Sequence, residues 1–282
     1  FVGLGGNFVR ATPDSELTER SMRSLELTVN ISTKLNGSHA VAGRVALILP
    51  TLGRTERDVA ASGEQVVTVE DSMGMVHASR GRLDPADPGL RSEVAIVCEI
   101  ARRTLGHVGT IDWRAMQDDY ARIRSHIERV VPGFDAYETR IASPGGFSLP
   151  NGPRDDRRFA TSDGRAHFTI NTIEVPVLPA GRVTLQTIRS HDQFNTTIYG
   201  MDDRYRGITA GRRVVLLNGD DMRELGVADG QIVDIVAEWN GTSGLQERRA
   251  RAFRVVRYPT ARGCAAAYFP ETNVLIPVDS TA

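Results

Sequence analysis

Cysteine is scarce in this sequence: Cys98 and Cys264 are far apart, and neither belongs to a C-x-x-C spacing. Two isolated thiols cannot hold an iron–sulfur cluster. Cys98 falls in an apolar helical pattern and Cys264 in an apolar strand pattern, so both read as buried thiols, not metal ligands. No H-E-x-x-H or related zinc spacing occurs. A G-x-S-x-G elbow is also absent, and Ser190-His191-Asp192 is adjacency along the chain, not a triad arrangement. The acid pairs Asp202-Asp203 and Asp220-Asp221 point apart if extended and need not act together. Neither sign of charge is in excess: 34 basic and 35 acidic residues leave a net charge of −1, which gives no pull toward nucleic acid or an anionic membrane surface. No apolar run approaches the ~20 residues of a membrane span, and no signal-peptide pattern opens the chain, so a cytoplasmic location is expected. Internal repeats and low-complexity tracts are missing as well.

What is present suits a globular protein with two cores. The 282 residues exceed the usual ~100–200 per domain, and 40% are hydrophobic. The opening Phe1-Val-Gly-Leu-Gly-Gly-Asn reads as a strand running into a ligand-type loop with no starting Met, as in a fragment of something longer. Residues 1–131 read as an α/β domain. Strand Phe1–Leu4 is followed by the turn Gly5-Gly6-Asn7 and by a helix from Thr12/Ser15 to Ser24 with Pro13 in its first turn. Further strands are expected at Leu25–Asn30, Val45–Pro50 and Gln65–Glu70, with a loop at Asp71–Arg82. Leu90, Val94, Val97, Ala101 and Leu105 follow helical spacing up to Gly106. A second amphipathic helix is expected from Trp113 to Val131, with Ile123, Ile127 and Val130 inward. From Pro132 to Phe159, Pro, Gly and Asp/Arg clusters read as a linker. Residues 160–282 are strand-rich, with strands expected at Ala166–Thr172, Val183–Ile188, Arg213–Leu217, Gln231–Val236, Arg249–Val256 and Ala265–Phe269. One short helix, Gly219–Leu225, interrupts them, and such a set suggests a closed barrel.

Three stretches have the residue types of a polar ligand site. Strand, Gly5-Gly6-Asn7 turn and helix N-terminus make a natural place for a phosphate, because unpaired backbone N–H groups converge there. Thr33, Lys34 and Asn36 follow another strand, where ligands bind in open parallel sheets, and could satisfy a guanine edge or a phosphate. The third is Gln186–Ile208, a series of polar and aromatic side chains without helical or strand period. Arg189 offers a planar fork of donors, and Thr187, Ser190, His191, Gln193 and Asn195 add mixed donors and acceptors, a set that suits a large polar heterocycle better than a metal.

With Tyr199-Gly-Met-Asp-Asp-Arg-Tyr-Arg206 behind it, this last stretch closely resembles a segment of molybdopterin-dependent oxidoreductases, the dimethyl sulfoxide reductase family, and within them the alpha subunits of formate dehydrogenases. Thr161–Phe168, Asn218–Gly226, Val227–Val233 and Thr272–Pro277 are similar to that family's usual phrases. The resemblance implies a partial Rossmann-like α/β domain followed by a double-psi β-barrel. It implies a bis-molybdopterin guanine dinucleotide cofactor with molybdenum or tungsten, and it adds Asn218 to the cofactor-binding set. Asn273 joins the set because Pro270 ends a strand and the polar residues after it interrupt an apolar run, as where a barrel edge opens onto a ligand, so Asn273 is expected to face the cavity of the Arg189 loop. For the parent protein it implies oxidation of formate or a similar small substrate, an iron–sulfur cluster outside this stretch, and contacts with the rest of its own chain and with an electron-transfer subunit. A double-psi barrel also serves as a binding module without redox chemistry, which is the competing reading.

Overall fold

The computed structural model describes residues 1–106, 108–173, 177–241 and 244–278. Two compact units result, and they do not follow chain order: one combines 1–30, 35–48 and 173–282, the other 31–34 and 49–172. The strand-and-helix opening thus folds with the strand-rich end of the chain.

Val2–Leu4, Leu27–Ser32 and Val45–Pro50 form a three-stranded sheet with Leu27–Ser32 in the middle, and residues 2–4, 27–30 and 45–48 of it belong to the first unit. The chain between the first two strands makes the helices Phe8–Ala11 and Ser15–Arg23. Asp14 caps the second of these by accepting from Leu17 N at 3.1 Å, so Pro13 stands before the cap and not inside the first turn as expected. Gly5 takes a left-handed φ of +68° in the turn, a conformation that costs a residue without a Cβ little.

The same unit contains a five-stranded sheet in the order Ile232–Gly241, Gly244–Arg257, Val214–Leu217, Cys264–Tyr268, Thr184–Ile188. The all-apolar run Val214–Leu217 is central in that order and buried along its whole length, as continuous apolar strands must be. Val215 and Leu217 pack with Phe253, Val255, Ala265 and Ala267. Val214 and Leu216 pack with Tyr268 and Ile208 in a second cluster. Helix Gly219–Leu225 has the bounds the sequence predicts, because Asn218 caps one end and Gly226, at φ +66°, ends the other.

Two strand expectations change here. Ile232–Gly241 and Gly244–Arg257 run well past their predicted ends, since antiparallel pairing carries polar residues such as Glu238 and Gln246 along with the apolar ones. Ala166–Thr172 forms no strand, although it alternates: Phe168 and Ile170 are 100% and 96% exposed, and no strand among the described residues pairs with the segment. Strand propensity without a partner does not make a strand.

The second unit pairs Val67–Glu70 with Met75–Ser79 and the latter with Phe147–Ser148. Met75–Ser79 is therefore a strand inside the expected loop Asp71–Arg82. Segment 132–159, read as a linker, carries the helix Tyr137–Ile141 and supplies Tyr137, Ile141 and Phe147 to this unit's core beside Val76. The helix expected over Trp113–Val131 is broken at Asp119, whose backbone is extended and whose side chain caps Tyr120–Val130 by accepting from Ala121 N. Of its expected inward residues Ile127 packs on the Val76 cluster, but Val130 is 76% exposed, and Arg124 is buried, paired with Glu138 at 2.5 and 2.8 Å and donating to Val66 O. Helix Glu93–Leu105 ends at Gly106 as predicted, but it starts after Leu90 and leaves Val97 and Leu105 exposed; Ile96 and Cys98 are its buried residues, while Cys264 is only half-buried. Among the described residues no helix is long and apolar enough to cross a membrane.

Candidate functional site

Thr184–Ile188 and Cys264–Tyr268 are parallel neighbours with Ile188 opposite Tyr268, so the chain leaves both strands at one edge of the sheet. Val214–Leu217 runs antiparallel to Cys264–Tyr268, with Val215 opposite Ala267, which brings its entry, Arg212-Arg213, to that same edge. Three chain segments, those around Arg189, Arg212 and Phe269, therefore meet at one end of the sheet.

Arg212 fills the base of this edge and is 3% exposed. Its Nε donates to Glu271 Oε1 at 2.6 Å, its Nη1 to Ser190 Oγ at 2.6 Å, and its Nη2 to Gln193 Oε1 and Phe269 O at 2.8 Å each. The guanidinium also lies over the Tyr268 ring, 4.6 Å from its centroid. Behind it, the buried Tyr268 hydroxyl donates to Asp203 Oδ2 at 2.8 Å, and Arg206 Nη1 reaches the same oxygen at 2.5 Å. Burial alone would push the Asp203 carboxyl up, but the hydrogen bonds and charge of Arg206 and the Tyr268 hydroxyl outweigh it and hold the group below its ordinary value. The Tyr268 phenol is driven up by its burial and by the Asp203 carboxylate.

On this frame the predicted loop divides into side chains that face outward and side chains that hold the loop together. Arg189 is exposed, its guanidinium 5.0 Å from the Phe269 ring centroid, and among the described residues no acid pairs with it. The nearby acid Asp203 is bound by Arg206. His191 is exposed and meets the Tyr205 ring edge-on at 4.2 Å. Asn195 is exposed at the turn of a small hairpin, Gln193–Phe194 with Thr197–Ile198, where its φ of +52° explains an Asn. Thr187 is an exposed position opposite Ala267. Ser190 is buried and accepts from Arg212. Both ends of the Gln193 amide are used internally: Oε1 accepts from Ser190 N and Arg212, and Nε2 donates to Asn195 O and Phe269 O.

The loops after the first two strands also meet. Asn36 Nδ2 donates to Gly6 O at 3.0 Å, and the Ser38 hydroxyl donates to Asn7 Oδ1 at 3.2 Å while accepting from Val9 N at 3.0 Å. Asn36 Oδ1 is further occupied by Ser38 N, and His39 Nδ1 accepts from Asn36 N. Gly5, Gly6, Asn7 and Asn36 therefore come together, and Thr33 and Lys34 are exposed on the connecting segment.

Two predicted residues sit elsewhere. Asn218 is a helix cap that accepts from Asp220 N and donates to Thr260 O. Asn273, expected to face the Arg189 loop, is 7% exposed, and its amide donates to Arg10 O at 3.1 Å and Thr12 O at 2.6 Å. Sequence reasoning did not single out Arg212, Phe269, Glu271 or Ser38. An Arg-Arg pair before an apolar strand looks like an ordinary strand entry, and only the fold reveals that one of the two turns inward.

Residues 183–279 match the Molydopterin dinucleotide binding domain. Over its whole length the chain is 54% identical to the uncharacterized oxidoreductase Rv2900c of Mycobacterium tuberculosis and, to the same degree, to the uncharacterized oxidoreductase Mb2924c of Mycobacterium bovis. It is 42% identical over 280 residues, 98% of its length, to the protein YdeP of Escherichia coli strain K12. The chain spans 36% of the length of each of these relatives.

Proposed function

From the premise that this chain is a region of a molybdopterin oxidoreductase, we propose that it holds the pterin and nucleotide of a bis-molybdopterin guanine dinucleotide cofactor for the two-electron oxidation of formate or a similar small substrate. The observation that carries this is Arg189: a guanidinium with a free fork of donors, seated on the Phe269 ring at the edge where two parallel strands end, inside the matched domain.

The residues fit such a group. Arg189, His191 and Asn195 present donors and acceptors outward, as the acceptor-rich edges of a pterin require. In this reading the outward donors of the stretch meet the organic part of the cofactor, its pterin and phosphates. When bound, the group supplies two-electron redox chemistry at its metal, molybdenum or tungsten. The chain's own residues bind it, orient it and tune it through hydrogen bonds.

In this reading the five-stranded sheet is part of a double-psi β-barrel, and the opening strands and helices, which share its compact unit, carry the Rossmann-like α/β part. Asn7, Lys34 and Asn36 attend the nucleotide end. An iron–sulfur cluster and an electron-transfer subunit belong to the full-length parent. The test is dye reduction by the purified full-length protein with formate and a panel of small oxidisable substrates. Reduction with one of them is the expected result. A fully metallated protein that reduces no dye with any substrate would contradict the substrate class.

A further inference from the structure

We propose that Arg212 is the positioning residue of the Arg189 loop, setting through its buried fork the geometry in which Arg189 meets the ligand; this rests on the cofactor reading of that loop. Arg212 bonds to both neighbours of the Arg189 side chain. On one side it holds Ser190, the next residue in the chain, and Gln193, whose Oε1 in turn accepts from the Ser190 amide at 3.1 Å. On the other side it holds the carbonyl of Phe269, whose ring is the surface on which the Arg189 guanidinium rests.

The chemistry requires arginine. Acceptors in three directions are served by Nε, Nη1 and Nη2 of one planar group, which a lysine ammonium on a flexible stem cannot reproduce. A buried guanidinium is costly to desolvate, and here Glu271, whose side chain is 16% exposed, neutralises it. Apolar residues of similar size would often stabilise the fold as well or better. What the charged pair adds is a fixed orientation of two segments that leave adjacent strands. A site displaced by as little as an ångström loses much of its function, so a residue that orients the presenting loop matters without touching the ligand.

The test compares full-length wild type with Arg212→Lys, Arg189→Gln and the double variant, reading melting temperature, molybdenum and guanine-nucleotide content, and exchange of the Ser190 amide and of the Tyr199 amide, which closes the loop by donating to Asp192 O at 3.0 Å. Arg212→Lys keeps the charge beside Glu271 and loses the fork. The expected result is a folded protein in which those two amides exchange at least tenfold faster and cofactor content falls to the level of Arg189→Gln, with no further fall in the double variant. Wild-type exchange and wild-type cofactor content in Arg212→Lys, or losses that add in the double variant, would overturn the proposal. If Arg212→Lys fails to fold, Ser190→Ala removes a single acceptor and takes its place: faster exchange at Tyr199 supports the proposal, and unchanged exchange refutes it. A wild-type protein without molybdenum or nucleotide would refute the cofactor reading, and the exchange measurement would still decide whether Arg212 sets the loop.

Discussion

Arg248 and Asp14, 234 residues apart in the chain, form a two-pronged ion pair with Nη1 and Nη2 at 2.9 and 2.6 Å from the two carboxylate oxygens. Asp14 also caps helix Ser15–Arg23, so one side chain ties the opening of the chain to strand Gly244–Arg257. The pair is well shielded, with side-chain exposures of 21% for Arg248 and 8% for Asp14. Removing one partner strands the other charge. Arg248→Met is expected to cost the first unit about 3 kcal/mol. Trp239, whose ring centroid lies 5.9 Å from the Arg248 guanidinium, reports the transition in a Trp113→Phe background. A midpoint unchanged in urea would show that the pair contributes nothing.

The same pair predicts acid sensitivity. Burial pushes the Asp14 carboxyl up, but Arg248 and the Leu17 amide more than compensate, so it ends below its ordinary 3.8. Asp203 is lowered from the same value by Arg206 and Tyr268 against its own burial. A carboxylate whose pKa is depressed by folding contributes stability that is complete above its unfolded value and is lost as pH falls through the folded one. Stability should therefore decline from about pH 5 downward, and the decline should be shallower in Asp14→Asn. Denaturation curves between pH 7 and pH 3 that run parallel for the two proteins would contradict this.

Much of the sheet was legible because burial on both faces leaves an unbroken apolar run, as at Val214–Leu217, and because Asn218 and Gly226 punctuate Gly219–Leu225. The break at Asp119 was not, since apolar spacing passes straight through a residue that the fold uses as a cap. Ala166–Thr172 has the alternation of a strand and lacks a partner, which no local pattern reveals. Within the site, Arg189, His191 and Asn195 could be read as outward-facing from their polarity. The internal use of Ser190, Gln193 and Asn273 could not, because it depends on Arg212, Phe269 and the Arg10–Thr12 carbonyls brought in from distant sequence.

Asn273 separates a structural role from a ligand role. Its amide satisfies the carbonyls of Arg10 and Thr12, so Asn273→Ala leaves both without a donor and is expected to cost about 2 kcal/mol. Cofactor content per folded molecule should stay at the wild-type level. A stable Asn273→Ala protein that has lost its cofactor would reverse the assignment.

Arg189 predicts the opposite pattern. Its side chain is exposed and lies beside the Phe269 ring, so Arg189→Lys should melt with wild type. It loses the fork, and with it a charge-assisted contact of about 1.5–3 kcal/mol, so cofactor retention should fall. Equal occupancy in the two proteins would place the ligand on another loop.

The central claim, that this chain holds a molybdopterin guanine dinucleotide, is tested most directly by metal analysis and by release of nucleotide from the full-length protein produced in a host that makes the cofactor. The account predicts two guanine nucleotides for each molybdenum or tungsten atom. A folded full-length protein that carries neither metal nor guanine nucleotide would contradict it.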